Sequence, residues 1–162
     1  MKKLNKKGFT LIELLAVIVI LAILIAVAVP AITRYLAEAR KGTFVDNAQA
    51  AITAVRDEEI ISSIGTTSVS YDAGTKYTEK DTKATIYTKD AINKLLEKKL
   101  NTSPYGNPYS ADSYVKVTQA SDGSYTFYIC LSDGTYKVDG AENNLGKDSF
   151  GSGTCTKPIQ QN

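Results

Sequence analysis

The chain is predicted to adopt an α+β fold: a long N-terminal α-helix, apolar throughout its first half, packed through its second half on a small antiparallel β-sheet head. Three observations predict it. Residues 14–32 run for nineteen positions without a charge. Apolar residues then recur at spacings of three and four until about residue 61, the period of an amphipathic helix. Residues 114–139 hold three alternating segments separated by two Ser-Asp-Gly triplets, the pattern of an antiparallel meander.

The apolar run comes first. Nineteen helical residues rise about 29 Å, close to the hydrocarbon thickness of a bilayer. Lys2, Lys3, Lys6 and Lys7 precede it, the flank expected on the cytoplasmic side. Gly8 stands at the joint between the basic and apolar parts. Glu13 lies just inside the apolar part, where a carboxylate is costly unless it has a partner.

Beyond it, Ile32, Leu36, Ala39, Val45, Ala48, Ile52 and Val55 form a stripe, with Arg34, Glu38, Lys41, Asp46 and Arg56 between them. Pro30 should bend this helix and Gly42 should weaken it. Residues 62–87 are rich in Ser, Thr, Gly and Lys and read as an irregular connection with a short strand at 85–87. Residues 88–100 read as a second helix, with Thr88 as cap and Ala91, Ile92, Leu95, Leu96 and Leu100 as its apolar face. Turn residues fill 101–109.

Strands are expected at 114–119, 124–132 and 135–139, joined by Asp-Gly turns at 121–123 and 132–134. Alternation puts Val115, Val117, Tyr125, Phe127, Ile129, Leu131, Tyr136 and Val138 on one face, where the amphipathic helix can cover them. Cys130 has the opposite parity. Cys130 and Cys155 are the only cysteines, and the positive flank places both outside the membrane. An even pair in an oxidising compartment reads as one disulfide, with two free thiols as the alternative. That disulfide would fold the tail, residues 140–162, over the outer face of the sheet, and closing such a loop contributes about 3 kcal/mol.

Composition excludes several functions. The 162 residues contain no His, which removes His-based acid–base chemistry and His metal ligands. The formal charge is +2. Without the four lysines of residues 1–8 it becomes 2 − 4 = −2, so the basicity gives no sign of specific nucleic-acid binding. No nucleophile–base pairing, phosphate loop or cofactor motif stands out. Asp139, Glu142, Asn143, Asn144 and Asp148 crowd the tail, but their spacing matches no calcium loop and they read as solvated turn residues.

Lys7-Gly8-Phe9-Thr10-Leu11-Ile12-Glu13, with its basic leader and apolar run, resembles the processing signature of type IV prepilins and pseudopilins. The competing reading is an ordinary signal peptide cut after Ala26-Val27-Ala28, leaving a chain that starts at Val29. The resemblance implies a type IV pilin-like fold and a non-enzymatic role. A membrane-embedded prepilin peptidase would cut between Gly8 and Phe9 and methylate Phe9. Glu13 would pair with the N-terminal amine of a neighbouring subunit, while the residues themselves also leave open a pair with its own chain's amine, one turn away. Residues 1–8 would then be a removed leader, 9–32 a transmembrane and assembly helix, and 33–162 a head. That head would contain the amphipathic helix 33–61, helix 88–100, strands 114–139 and a C-terminal loop.

The partners implied are the chain itself as a homopolymer, minor pilins, the prepilin peptidase, an assembly ATPase and a membrane platform protein. The expected location is the cytoplasmic membrane, head outside, before assembly, and an extracellular pilus afterwards. The implied function is a pilus subunit for adhesion or twitching motility. The alternative is a pseudopilin of a type II secretion or DNA-uptake machine. The loop Pro104-Tyr-Gly-Asn-Pro-Tyr109 resembles one found before the sheet in major pseudopilins and some Gram-positive pilins.

Overall fold

The computed structural model describes residues 9–65, 69–96 and 100–160. The predicted leader and Gly8 therefore lie outside the described residues, as do positions 97–99 of the predicted second helix. The chain divides into two compact units, with the boundary in sequence between Ala39 and Arg40.

Helix α1, Leu11–Ser63, holds 53 residues and continues through Pro30. Proline removes one backbone donor from the helix ladder. Close by, the Thr33 hydroxyl donates to the Pro30 carbonyl at 3.0 Å. Up to Arg40 every described residue is exposed. Beyond it, Phe44, Val45, Ala48, Ala51, Ile52, Val55 and Glu58 are buried at a spacing of three and four. The predicted stripe is therefore covered from Val45 onward, while Ile32, Leu36 and Ala39 remain exposed.

The sheet has six strands in the order β1-β2-β3-β4-β5-β6: β1 Lys76–Thr78, β2 Thr85–Thr88, β3 Tyr114–Gln119, β4 Tyr125–Ser132, β5 Tyr136–Ala141 and β6 Phe150–Ser152. Every neighbouring pair is antiparallel. The three predicted strands are β3, β4 and β5, and the expected strand at 85–87 is β2. β1 and β6 extend the sheet beyond the sequence-based expectation. Each is three residues long, too short to show an alternating pattern.

Both predicted turns form. Gly123 and Gly134 adopt φ of +84° and +86°, a region that a Cβ disfavours. The helix expected at 88–100 is shorter: α2 spans Lys89–Leu95. Thr88 occupies the cap position but makes no side-chain cap bond, and Leu96 is already extended. Asn93 Oδ1 accepts the Leu100 backbone N–H at 2.6 Å, a tie that the helical period does not reveal.

The register fixes the two faces. Val115 opposes Ile129, Val117 opposes Phe127, and Leu131 opposes Val138. These residues form the core with the buried stripe of α1, with Tyr87 of β2 and with Ala91 and Ile92 of α2. Tyr125 and Tyr136 join from the margin. The outer face carries Ile86, Lys116, Tyr128 and Cys130.

The tail crosses that outer face as a strap. Gly153 N–H donates to the Thr135 carbonyl, and Cys155 forms a disulfide with Cys130 of β4 (Cα–Cα 5.8 Å). Farther along, Tyr77 of β1 donates its hydroxyl to the Pro158 carbonyl at 2.7 Å, and Lys80 N–H donates to the Ile159 carbonyl. Gln160 bridges Glu79 at the β1 edge. This explains why Ile86 is 0% exposed although it faces away from the core.

Candidate functional site

The chemistry of the N-terminal unit is concentrated in five residues. Phe9 is 86% exposed and precedes the helix. Thr10 stands at the N-cap, and Glu13 is the third helical residue. The Thr10 backbone N–H donates to Glu13 Oε2 at 2.8 Å, and the Thr10 hydroxyl donates to the same oxygen at 2.6 Å. In return the Glu13 N–H donates to Thr10 Oγ1 at 3.3 Å. This is a reciprocal capping box, which satisfies two of the donors that a helix leaves unpaired at its start. Among the described residues, Glu13 Oε1 has no hydrogen-bond donor.

Sequence reasoning gave Glu13 an N-terminal amine as partner, in its own chain or in the next, and overlooked the partner three residues away. The signal was available, because Thr-x-x-Glu before an apolar run is the pattern of a capping box.

The apolar surface that follows is uncovered. Leu14, Ile18, Leu21 and Ile25 are among the exposed large hydrophobics. Among the described residues, α1 is the helix long and apolar enough to cross a membrane. Exposed apolar surface of this length is unfavourable in water and requires lipid or protein around it.

The head presents paired charges and open surface hollows of ordinary chemistry. Lys116 Nζ donates to Glu79 Oε2 at 2.6 Å, and Lys137 Nζ donates to Asp139 Oδ2 at 2.6 Å. Tyr128 also donates its hydroxyl to Asp139. Burial pushes the Asp139 and Glu79 carboxyls up, but the bonds from Lys137 and Lys116 outweigh it and hold both below the usual carboxylate range. A hollow of about 410 Å³ on the outer face is lined by Glu79, Tyr114, Lys116 and Tyr128, so its acid and its lysine pair with each other.

Glu142 pairs with Arg56, so Asp139 and Glu142, two of the acids singled out in the tail, are drawn to separate cations and not to one centre. Among the described residues no group of three His, Cys, Asp or Glu is arranged to hold a metal.

Asp133, in the β4–β5 turn, is the other buried acid of note. It accepts the Ser103 hydroxyl at 2.6 Å and the Thr135 and Tyr136 backbone N–H groups at 3.0 and 2.8 Å. Burial raises its carboxyl, yet these donors prevail and hold it below the usual range. The bond from Ser103 thereby pins the loop 101–109 to the turn.

Residues 3–29 match the family of the prokaryotic N-terminal methylation motif, the class III signal peptide of type IV pilins and pseudopilins. That match covers the N-terminal segment and not the head. No curated protein and no solved structure matches the chain.

Proposed function

We propose that this chain is a structural subunit of a type IV pilus, processed between Gly8 and Phe9 and polymerised through residues 9–32. The observation that carries the reading is the methylation motif at residues 3–29, continuous with an uncovered apolar helix.

Hydrolysis of the Gly8–Phe9 peptide bond leaves a carboxylate on Gly8 and an ammonium on Phe9. Methylation of that amine retains the positive charge. A cation at the start of an apolar helix needs a partner when it enters a lipid or protein interior. Thr10 engages Glu13 Oε2 and leaves Oε1 open to such a cation. Side-by-side subunits with an axial offset would place the amine of one against the Glu13 carboxylate of the next, which sets register as well as attraction. Packing of Leu, Ile, Val and Ala then excludes water from the filament core.

The subunit waits as a single-pass protein in the cytoplasmic membrane with its head outside. Its partners are other copies, minor pilins, the prepilin peptidase, an assembly ATPase and a membrane platform protein. Adhesion or twitching motility is the role of the resulting surface fibre. The second reading is a pseudopilin of a secretion or DNA-uptake machine, and the loop Pro104-Tyr-Gly-Asn-Pro-Tyr109, which resembles one in major pseudopilins and in some Gram-positive pilins, fits both readings.

The test is the N-terminal sequence and mass of the protein recovered from cells that make it. A chain beginning at Phe9 with one added methyl group supports the proposal. A chain beginning at Val29 overturns it, because the apolar helix would have been discarded. A chain that keeps residues 1–8 leaves a simple anchored domain and also overturns it. Long surface fibres separate the pilin from the pseudopilin.

A further inference from the structure

A hollow of about 680 Å³ opens on the head between α1 and α2. Ala54, Ile61, Val69, Leu95 and Leu96 form much of its wall, and all five are half-buried. Three residues past Ile61, Ile64 is 73% exposed and carries the apolar surface beyond the helix end. Continuous exposed apolar surface of this kind marks a place for a partner.

The charge of the groove favours a cation. Asp57, Glu58 and Lys94 also line it, and Lys94 is already held by Asp72 at 2.6 Å. Asp57 is exposed and forms no ion pair among the described residues.

The tail offers the complement. Ile159 is 68% exposed and follows Lys157 and Pro158. Lys157 is exposed, forms no ion pair among the described residues, and is the only charged side chain between Cys155 and Asn162. The backbone beneath them is fixed. The Pro158 carbonyl accepts from the Tyr77 hydroxyl, the Ile159 carbonyl from the Lys80 N–H, and Gln160 bridges Glu79. A knob already fixed in place loses little freedom when a partner buries it. These ties hold the knob at the β1 edge, and none of its residues lines the groove of its own head.

We infer that the Lys157–Ile159 knob of one subunit docks in the α1–α2 groove of another copy, with Ile159 on the apolar wall and Lys157 beside Asp57. This rests on the reading of the chain as a filament subunit. A knob and a groove at different places on one surface make a heterologous contact, which can repeat without closing and so extend a fibre. Three knob residues are far fewer than the roughly 20–30 a side of a stable interface. The contact therefore acts between heads that polymerised helices already hold close, where effective concentration makes a weak site count.

The test uses assemblies recovered from cells that make the full chain. A water-soluble carbodiimide couples a carboxylate to an ammonium as an amide, with no spacer, so it joins groups already in contact. Peptide mapping of the covalent dimer should find Lys157 of one copy joined to Asp57 or Glu58 of the other. Charge reversal reads the same pair through assembly. Lys157→Glu and Asp57→Lys should each lower the yield severalfold, and the double variant should recover it. Rescue by the swap is a result that a merely structural role for either residue would not give.

Dimers in which Lys157 is joined elsewhere, or in which Asp57 is joined to a different protein, would overturn the inference. So would single reversals that assemble at wild-type yield. A wild-type chain that never assembles removes the filament reading and the contact with it, whereas assembly without the Lys157 link removes the contact alone. Should a reversal disturb folding, shown by loss of near-ultraviolet dichroism, the link in wild-type assemblies decides the matter.

Discussion

Severing the strap by Cys155→Ser separates what the disulfide contributes from what the tail's own hydrogen bonds contribute. The sequence separation of Cys130 and Cys155 is 25 residues. Cross-linking a loop of that size restricts the unfolded chain by about 3 kcal/mol at 25 °C in the chain-entropy model. For a domain the size of this head, 1 kcal/mol moves Tm by about 3–5 °C, so the expected loss is about 10–15 °C. The near-ultraviolet dichroism of the tyrosines during a thermal melt of the full chain in detergent measures it.

Amide exchange adds location to that magnitude. The Lys80 N–H is held by the Ile159 carbonyl at 3.1 Å, at the far side of the sheet from the β5–β6 edge. If the disulfide seats the whole strap, the Lys80 amide exchanges faster in Cys155→Ser, and Ile86 and Ala84 lose their cover. Unchanged Lys80 protection together with a Tm loss below about 3 °C, the equivalent of under 1 kcal/mol, would refute the reasoning. The contacts of Pro158, Ile159 and Gln160 would then hold the tail without help.

Glu13→Gln should abolish or strongly reduce filament yield in sheared surface fractions while leaving the helix start intact. Gln can still accept from the Thr10 N–H, as it does in other capping boxes, and undiminished fibre yield would reduce Glu13 to a cap. Asp133→Ala should lower stability by about 2–3 kcal/mol, because it strands the buried Ser103 hydroxyl and two turn N–H groups. Chemical denaturation of the variant, with no change expected in the disulfide, checks it.

The depressed carboxyls of Asp133, Asp139 and Glu79 give the acid limb of stability. Their contribution is fully present above the unfolded carboxylate range and lost as pH falls through their lower folded values, so unfolding titrations should weaken below about pH 4. At the alkaline limb, burial pushes Tyr109 up to about 12, against the Asn47 amide that donates to its hydroxyl at 2.9 Å. Stability should therefore fall as pH rises from about 10 toward 12, and absorbance at the phenolate band should show Tyr109 ionising after the exposed tyrosines.

What could be read in the sequence divides by the range of the interaction. Val115, Val117, Phe127, Ile129, Leu131 and Val138 share a face because strand parity is a local property, and the two Asp-Gly turns fix the register between their strands. The parity of Cys130 likewise foretold a tail lying across the outer face. β1 and β6 were not legible, since each depends on a neighbouring edge and not on its own three residues. The early end of α2 was missed for a related reason, as Asn93 and Leu100 meet through a bond that no helical period encodes. Glu58 carries no apolar signal in sequence, yet it is 3% exposed because it falls on the buried stripe of α1.

Thr10 and Glu13 show how a strong resemblance can hide a local signal. Their spacing has an ordinary meaning at any helix start, and the structure realises that meaning in full. The two readings are compatible in their geometry, since the cap occupies Oε2 and leaves Oε1 for a second donor. They differ in what Thr10 does. If Glu13 served assembly alone, replacing Thr10 by the isosteric Val would be silent, because the carboxylate would still meet its neighbour's amine. If the cap orients the carboxylate, Thr10→Val should reduce fibre yield while the cut at Gly8–Phe9 and the methyl on Phe9 remain. Wild-type yield from correctly processed Thr10→Val would show that the capping box closes the helix end and contributes nothing to assembly.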